Sequence, residues 1–90
     1  MAKAVVDPEE LRRFAQMLKH FNADLQNKMG ALQGQLHQLG QTWRDQEQQK
    51  FAEEFEQTMR VVARFVDATN QHIPFLLRKA ERIEEYLQQR

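Results

Sequence analysis

The sequence predicts an all-α protein: a hairpin of two long antiparallel helices that pairs into a four-helix-bundle dimer. Three observations predict it. Apolar residues recur at steps of three and four along almost the whole chain. The pattern breaks once, near the middle, at "GQTWRDQ". The second half carries more apolar residues than a single partner helix can cover.

The first helix is predicted over about residues 8–39. Asp7 caps its start, Pro8 suits the first helical position, and Glu9 and Glu10 favour the positive end of the helix dipole. Leu11, Phe14, Leu18, Phe21, Leu25, Met29, Leu32, Leu36, Leu39 and Trp43 then follow at steps of 3, 4, 3, 4, 4, 3, 4, 3 and 4. That spacing is a coiled-coil seam. Gly30 and Gly34 lie inside it and each costs about 1 kcal/mol relative to Ala, so they either soften the helix or admit a close neighbour.

The bend spans residues 40–45. Gly40 suits a helix end, and Asp45, with Gln48 three residues on, suits a new start. The second helix is predicted over about 46–88, with a kink near Pro74, whose ring removes one backbone donor. Its seam runs Phe51, Phe55, Met59, Val62, Val66, Thr69, Ile73, Leu76, Ala80, Ile83 and Leu87, flanked by Val61, Phe65, Leu77 and Tyr86. At the usual rise the helices span roughly 48 and 64 Å, so the second is expected to overshoot the first from near Pro74 onward.

A lone hairpin would leave the flank of the second helix wet, which marks an interaction surface. The economical remedy is a partner hairpin, either a second copy or a related chain. Phe14, Leu18, Phe21 and Leu25 of the first helix, with Phe55, Val61, Val62, Phe65 and Val66 of the second, are the expected interface. Met17, Met29 and Met59 read as core filler.

Thirteen Lys and Arg balance thirteen Asp and Glu, which argues against a nucleic-acid partner. There is no cysteine, which excludes disulfides and thiolate chemistry. No apolar stretch approaches the length of a membrane span, and the N-terminus has no apolar core of signal-peptide length. His20 and Asp24 share a helix face without further ligands, and His37 and His72 are isolated. Phosphate loops, nucleophile elbows, zinc spacings and Glu-x-x-His motifs are absent. No enzyme, metal or cofactor is expected.

Trp43, the single Trp, sits at the bend. It reads either as a plug closing the hairpin end, with its indole N–H on a loop carbonyl, or as a recognition group. A chain of this length with two long helices, a central Trp at a short bend, no cysteine and no signal peptide resembles the WXG family of small Esx-like helical hairpins of type VII secretion. The matching residues are Trp43, the loop around it, and Phe51 and Phe55 opening the second seam. The resemblance implies an antiparallel four-helix-bundle dimer. It also implies a cytoplasmic protein exported without an N-terminal signal peptide, as substrate or as escort of a larger secreted effector, with a secretion ATPase among its partners. The motif reads Trp43-Arg44-Asp45, with Asp where the family has Gly. The family's C-terminal signal is a Tyr followed four residues later by an acid. Tyr86 is the matching recognition residue, but Arg90 follows it. That departure supports an alternative: a helical adaptor or chaperone that masks an apolar helix of a partner and stays in the cytosol.

Overall fold

A computed structural model describes residues 6–89; the first five residues and Arg90 lie outside the described part. Two helices fold into one antiparallel hairpin, α1 (Pro8–Leu39) and α2 (Gln46–Gln88). The hairpin is a rod of 69 × 16 × 16 Å with a radius of gyration of 20.4 Å. A compact chain of this length would have a radius of about 12 Å. One dimension is therefore set by helix length and the other two by a single pair of helices.

Both helix starts are capped by aspartate. The Asp7 carboxylate accepts from the Glu9 N–H at 2.9 Å and that of Asp45 from the Gln48 N–H at 3.0 Å. α1 ends at Gly40 in an ordinary right-handed conformation (φ −63°), so Gly40 supplies no left-handed turn. Its use is room: a Cβ there would lie 3.3 Å from the His37 carbonyl oxygen and 3.6 Å from Gln48 Nε2 of α2.

The seam of α2 is regular. Gln48, Ala52, Phe55, Met59, Val62, Val66, Thr69, Ile73, Leu76, Ala80 and Ile83 alternate steps of four and three, and all are buried or half-buried. The seam of α1 departs from the expectation. Leu11, Leu18, Leu25, Met29 and Leu36 do face α2, but the fully buried positions between them are Ala15 and Asn22. Phe14, Phe21, Leu32 and Leu39 are about half exposed on a neighbouring stripe. The large residues that share the 3–4 spacing thus belong to two adjacent stripes, and small residues let the helix backbones meet along one of them. Gly30 and Gly34 do not contribute to that approach, because a Cβ on either would touch nothing within 4 Å.

Two polar devices fix the pairing. Asn22, 2% exposed, donates from Nδ2 to Thr69 Oγ1 and Asn70 Oδ1, both at 2.9 Å. At the open end Arg12 grips Glu84 with both guanidinium nitrogens, at 2.6 and 3.0 Å, and also reaches Glu9 at 2.6 Å. These contacts move the overshoot. Ala80 is fully buried and Glu84 is ion-paired, so only the last turn of α2 runs past α1. The expected overshoot from Pro74 ignored the bend. Residues 40–43 continue the turn with hydrogen bonds back to Leu36, Gln38 and Leu39, so α1 effectively reaches further and the first turn of α2 packs against that extension. α2 runs through Pro74 without interruption, and Pro74 is exposed, so the donor it lacks is lost on the wet side of the helix.

The hydrogen bond from Arg12 holds the Glu84 carboxyl below its ordinary range, and Glu84, then Glu9, hold the guanidinium charged. A carboxyl depressed in the folded state adds stability above its unfolded pKa and loses it as pH falls through the depressed value. Amide signals of the last two turns of α2 should therefore sharpen into fast exchange on acidification below the usual carboxylate range. Glu84→Gln should show that loosened end already at neutral pH. Asn22→Ala, which leaves Asn70 and Thr69 short of a buried partner, should cost about 1–3 kcal/mol in urea unfolding.

Candidate partner-binding face

The stripe left outside the seam is continuous across both helices. On α1 it holds Phe14, Met17, Phe21, Leu32 and Leu39; on α2 it holds Phe51, Val61, Phe65, Phe75 and Tyr86, all between 44% and 68% exposed. Helical periodicity puts each set on the flank next to the seam. The two sets share one side of the hairpin, because Phe21 and Phe65 meet edge to face across it, with ring centroids 6.3 Å apart. The other side is polar. It carries the Arg12–Glu84 pair and the Arg60–Glu56 pair, and it holds an open groove of about 750 Å³ whose floor is Met29, Leu36, Phe55 and Met59.

Of the expected interface residues, Phe14, Phe21, Val61 and Phe65 lie on the apolar face. Leu18, Leu25, Phe55 and Val62 are half-buried in the chain's own seam, and Val66 is 1% exposed there. Val66 is thus spent inside the hairpin, since it occupies the step of four from Val62 that points at α1. Met17, Leu32, Leu39, Phe51 and Phe75 belong to the face but were not expected there. Their signal in the sequence is a second stripe one position before the seam of the same helix, as with Met17 before Leu18, Phe51 before Ala52 and Phe75 before Leu76. Leu77 was expected beside Val61 and Phe65. It falls instead on the polar side, seven residues before Glu84.

Trp43 joins the bend to this face. Its ring lies 5.8 Å from that of Phe51, tilted by 36°, and Phe51 stacks on Phe55 at 5.8 Å. Trp43 is half-buried rather than enclosed. The expected indole bond to a loop carbonyl is not made among the described residues. The Gln41 carbonyl accepts from Arg44 Nε at 2.9 Å, and that of Leu39 from the Trp43 backbone N–H at 2.9 Å. Arg44 therefore staples the bend that presents Trp43. Asp45 stands at φ −82°, and no described residue has a positive φ, so this bend does not need the glycine that its third motif position lacks.

A long hairpin with a Trp-bearing bend and one bare apolar side is the geometry that the sequence resemblance implied. The family described as "Proteins of 100 residues with WXG" (WXG100) matches residues 4–86. The chain belongs to the WXG100 family. No curated protein matches it in sequence. Solved structures of a secreted protein, EsxB, from Bacillus anthracis strain Sterne share its fold. The wild-type crystal structure aligns with a TM-score of 0.80 at 28% identity, over 92% of this chain and 89% of that one. A selenomethionine form gives 0.79 at 27% identity over 96% and 98%. A proline-to-alanine mutant of the same protein gives 0.83 at 27% identity over 94% and 96%. Among the described residues of this WXG100 chain, no group of three or more His, Asp or Glu is placed to hold a metal ion. No helix among them is long and apolar enough to cross a membrane.

Removing the Trp43 ring should cost less than a fully buried aromatic would. Trp43→Ala is expected to lower stability by about 2 kcal/mol, against about 3–5 for an enclosed ring. Chemical denaturation followed by far-ultraviolet circular dichroism checks it.

Proposed function

We propose that this WXG100 hairpin is a non-enzymatic binding protein. It pairs through its apolar face with another helical hairpin and travels with it as substrate or escort of a type VII (Esx-like) secretion system. The observation that carries the reading is the continuous aromatic face, on a chain whose family is shown. A face of this extent marks a partner surface, and monomeric proteins rarely leave one bare. The EsxB structures, whose protein is described as secreted, support export as the destination. On this reading the chain is cytoplasmic until export, and the partner or a larger effector engages the secretion ATPase.

A second reading rests on one residue. Arg90 stands where the family's export signal has an acid, so the chain could act as a cytosolic adaptor that covers an apolar helix of a partner. The two readings part on location. Epitope-tagged chain should appear in the culture medium of its host, with a cytosolic marker retained, and should disappear from the medium when the secretion ATPase is deleted. Retention in intact cells would favour the adaptor. Phe65→Asp should abolish pairing while leaving the hairpin helical, as read by light scattering and circular dichroism; a variant still paired at micromolar concentration would place the interface elsewhere.

A further inference from the structure

We infer that the groove on the polar side of the hairpin is a second binding site. It takes one amphipathic helix of another protein, about fourteen residues long, with Lys or Arg along the flank that lies against α2. The site is opposite the aromatic face, so it does not rest on the pairing proposed above. The cavity of about 750 Å³ over Met29, Leu36, Phe55 and Met59 does not end there. A hollow of about 250 Å³ continues it toward Gln26 and Asp67, and the two share Met29, Gln33 and Ala63. Together they run along α1 from Gly40 to Gln26, roughly 21 Å.

Small residues make the groove. On the aromatic side the seam is roofed where Phe21 meets Phe65. On the groove side the matching positions are Gly30 on α1 and Ala52 and Ala63 on α2. Gly30 and Gly34 weaken α1 without bringing the hairpin's own helices closer, because a Cβ on either would meet nothing within 4 Å. What they leave is clear space, one turn apart, where the backbone of a third helix can come close to α1. The floor holds Met29 and Met59, whose flexible thioethers adapt to an incoming side chain. The backbone groups of both walls are bonded inside their own helices. An occupant must therefore satisfy its own backbone too, which a helix does.

The walls choose the occupant's charge. The α1 wall presents Gln26, Gln33 and His37, and no Lys, Arg, Asp or Glu. The α2 wall is acidic. Its Glu56 and Arg60 cancel, paired at 2.6 Å. Asp67 lines the end away from the bend, and Glu53 lies on the same flank about one turn before Glu56. Among the described residues neither Glu53 nor Asp67 is in an ion pair. They stand roughly 21 Å apart along α2, which matches the length of the groove. The complement of these walls is a helix with an apolar ridge, basic residues on one flank and uncharged polar residues on the other. A second copy of this chain does not supply it. Its exposed apolar ridge is flanked by Asp24 and Lys28 on α1 and by Glu54 and Lys79 on α2, mixed in sign on both helices.

The test titrates the purified full-length chain into a dye-labelled probe peptide of about fifteen residues. The probe is an amphipathic helix with Leu at i, i+4, i+7 and i+11, Lys along one flank and Gln along the other. Fluorescence anisotropy should show saturable binding, weakened about ten-fold when Glu replaces Lys in the probe. The ε-methyl NMR signals of Met29 and Met59 should shift, and that of Met17, on the aromatic side, should not. Gly30→Leu fills the groove where there is open space and favours the helix, so it should raise the Tm yet weaken binding about ten-fold or more. Ala31→Leu, exposed on α1 away from the groove, should leave affinity within about two-fold. E53K/D67K should reverse the preference toward the Glu probe. Phe65→Asp should still bind the Lys probe, so a failed pairing and a failed groove are read apart. No binding at about 0.1 mM probe, equal binding of both probes, or binding untouched by Gly30→Leu would overturn the site. Self-association of the chain lost in Gly30→Leu, by light scattering, would assign the groove to a second copy and overturn it as well.

Discussion

Two helices can each bury only one stripe against the other, and that constraint governs the molecule. Among the described residues, the buried apolar side chains are Ala15, Met59, Val66 and Ala80. Such a core is narrow, and it stays narrow however long the helices are, because length adds surface and core in equal proportion. A globular chain escapes by folding into more layers. Among the described residues there is no third element, so most of the large aromatics are left facing outward. The apolar face follows from the architecture before any partner is considered.

A narrow seam also has a register problem. Apolar residues at steps of three and four look alike from one turn to the next, and a slip by one heptad would cost little packing. Asn22 answers this at the middle of the rod and Arg12 at its end. Burying Asn22 gains less than burying a leucine, but only one register sets it against Thr69 and Asn70. The Arg12–Glu84 pair is only half-buried and still reached by solvent, so it contributes little stability. What it does is geometric, since two nitrogens of one guanidinium on two oxygens of one carboxylate hold the last turns of α2 at a fixed height. Both devices lie outside the apolar pattern.

Legibility in the sequence followed from that distinction. The two helices, the bend, the aspartate caps and the seam of α2 from Phe55 to Ile83 are written in residue type and spacing, whereas Phe51 and Leu87, expected at its two ends, are exposed. α1 was harder because its large apolar residues belong to two stripes only one position apart, and the spacing of Phe14, Leu18, Phe21 and Leu25 fits a single seam equally well. Ala15 and Asn22, where the backbones come close, carry no hydrophobic signal. The interface was half legible for the same reason. Phe14, Phe21, Val61 and Phe65 are exposed in the single hairpin, whereas Leu18, Leu25, Phe55, Val62 and Val66, expected in the same interface, are taken up by the chain's own seam. Arg12 and Glu84 are ordinary surface residues in sequence and become a pair only through the fold.

Asp45 bears on what the WXG bend requires. A glycine at the third position would matter if the bend forced the chain into the left-handed region, but Asp45 sits at φ −82° and ψ −178°. The work at that position is to stop one helix and start the next, and the Asp45 carboxylate does so by taking the Gln48 N–H. Trp43 then needs only to be held facing back along α2, which the Arg44 bond to Gln41 and the tilted ring contact with Phe51 accomplish. Phe51 is itself part of the apolar face, so the ring at the bend and the partner surface form one aromatic run. Covering the face would therefore bury the flank of Phe51 that Trp43 leaves open, and pairing would stiffen the bend from which the second helix starts. On the pairing proposed above, association and the ordering of the motif would be one process, and the Trp that the single hairpin only half encloses would be covered from its open side.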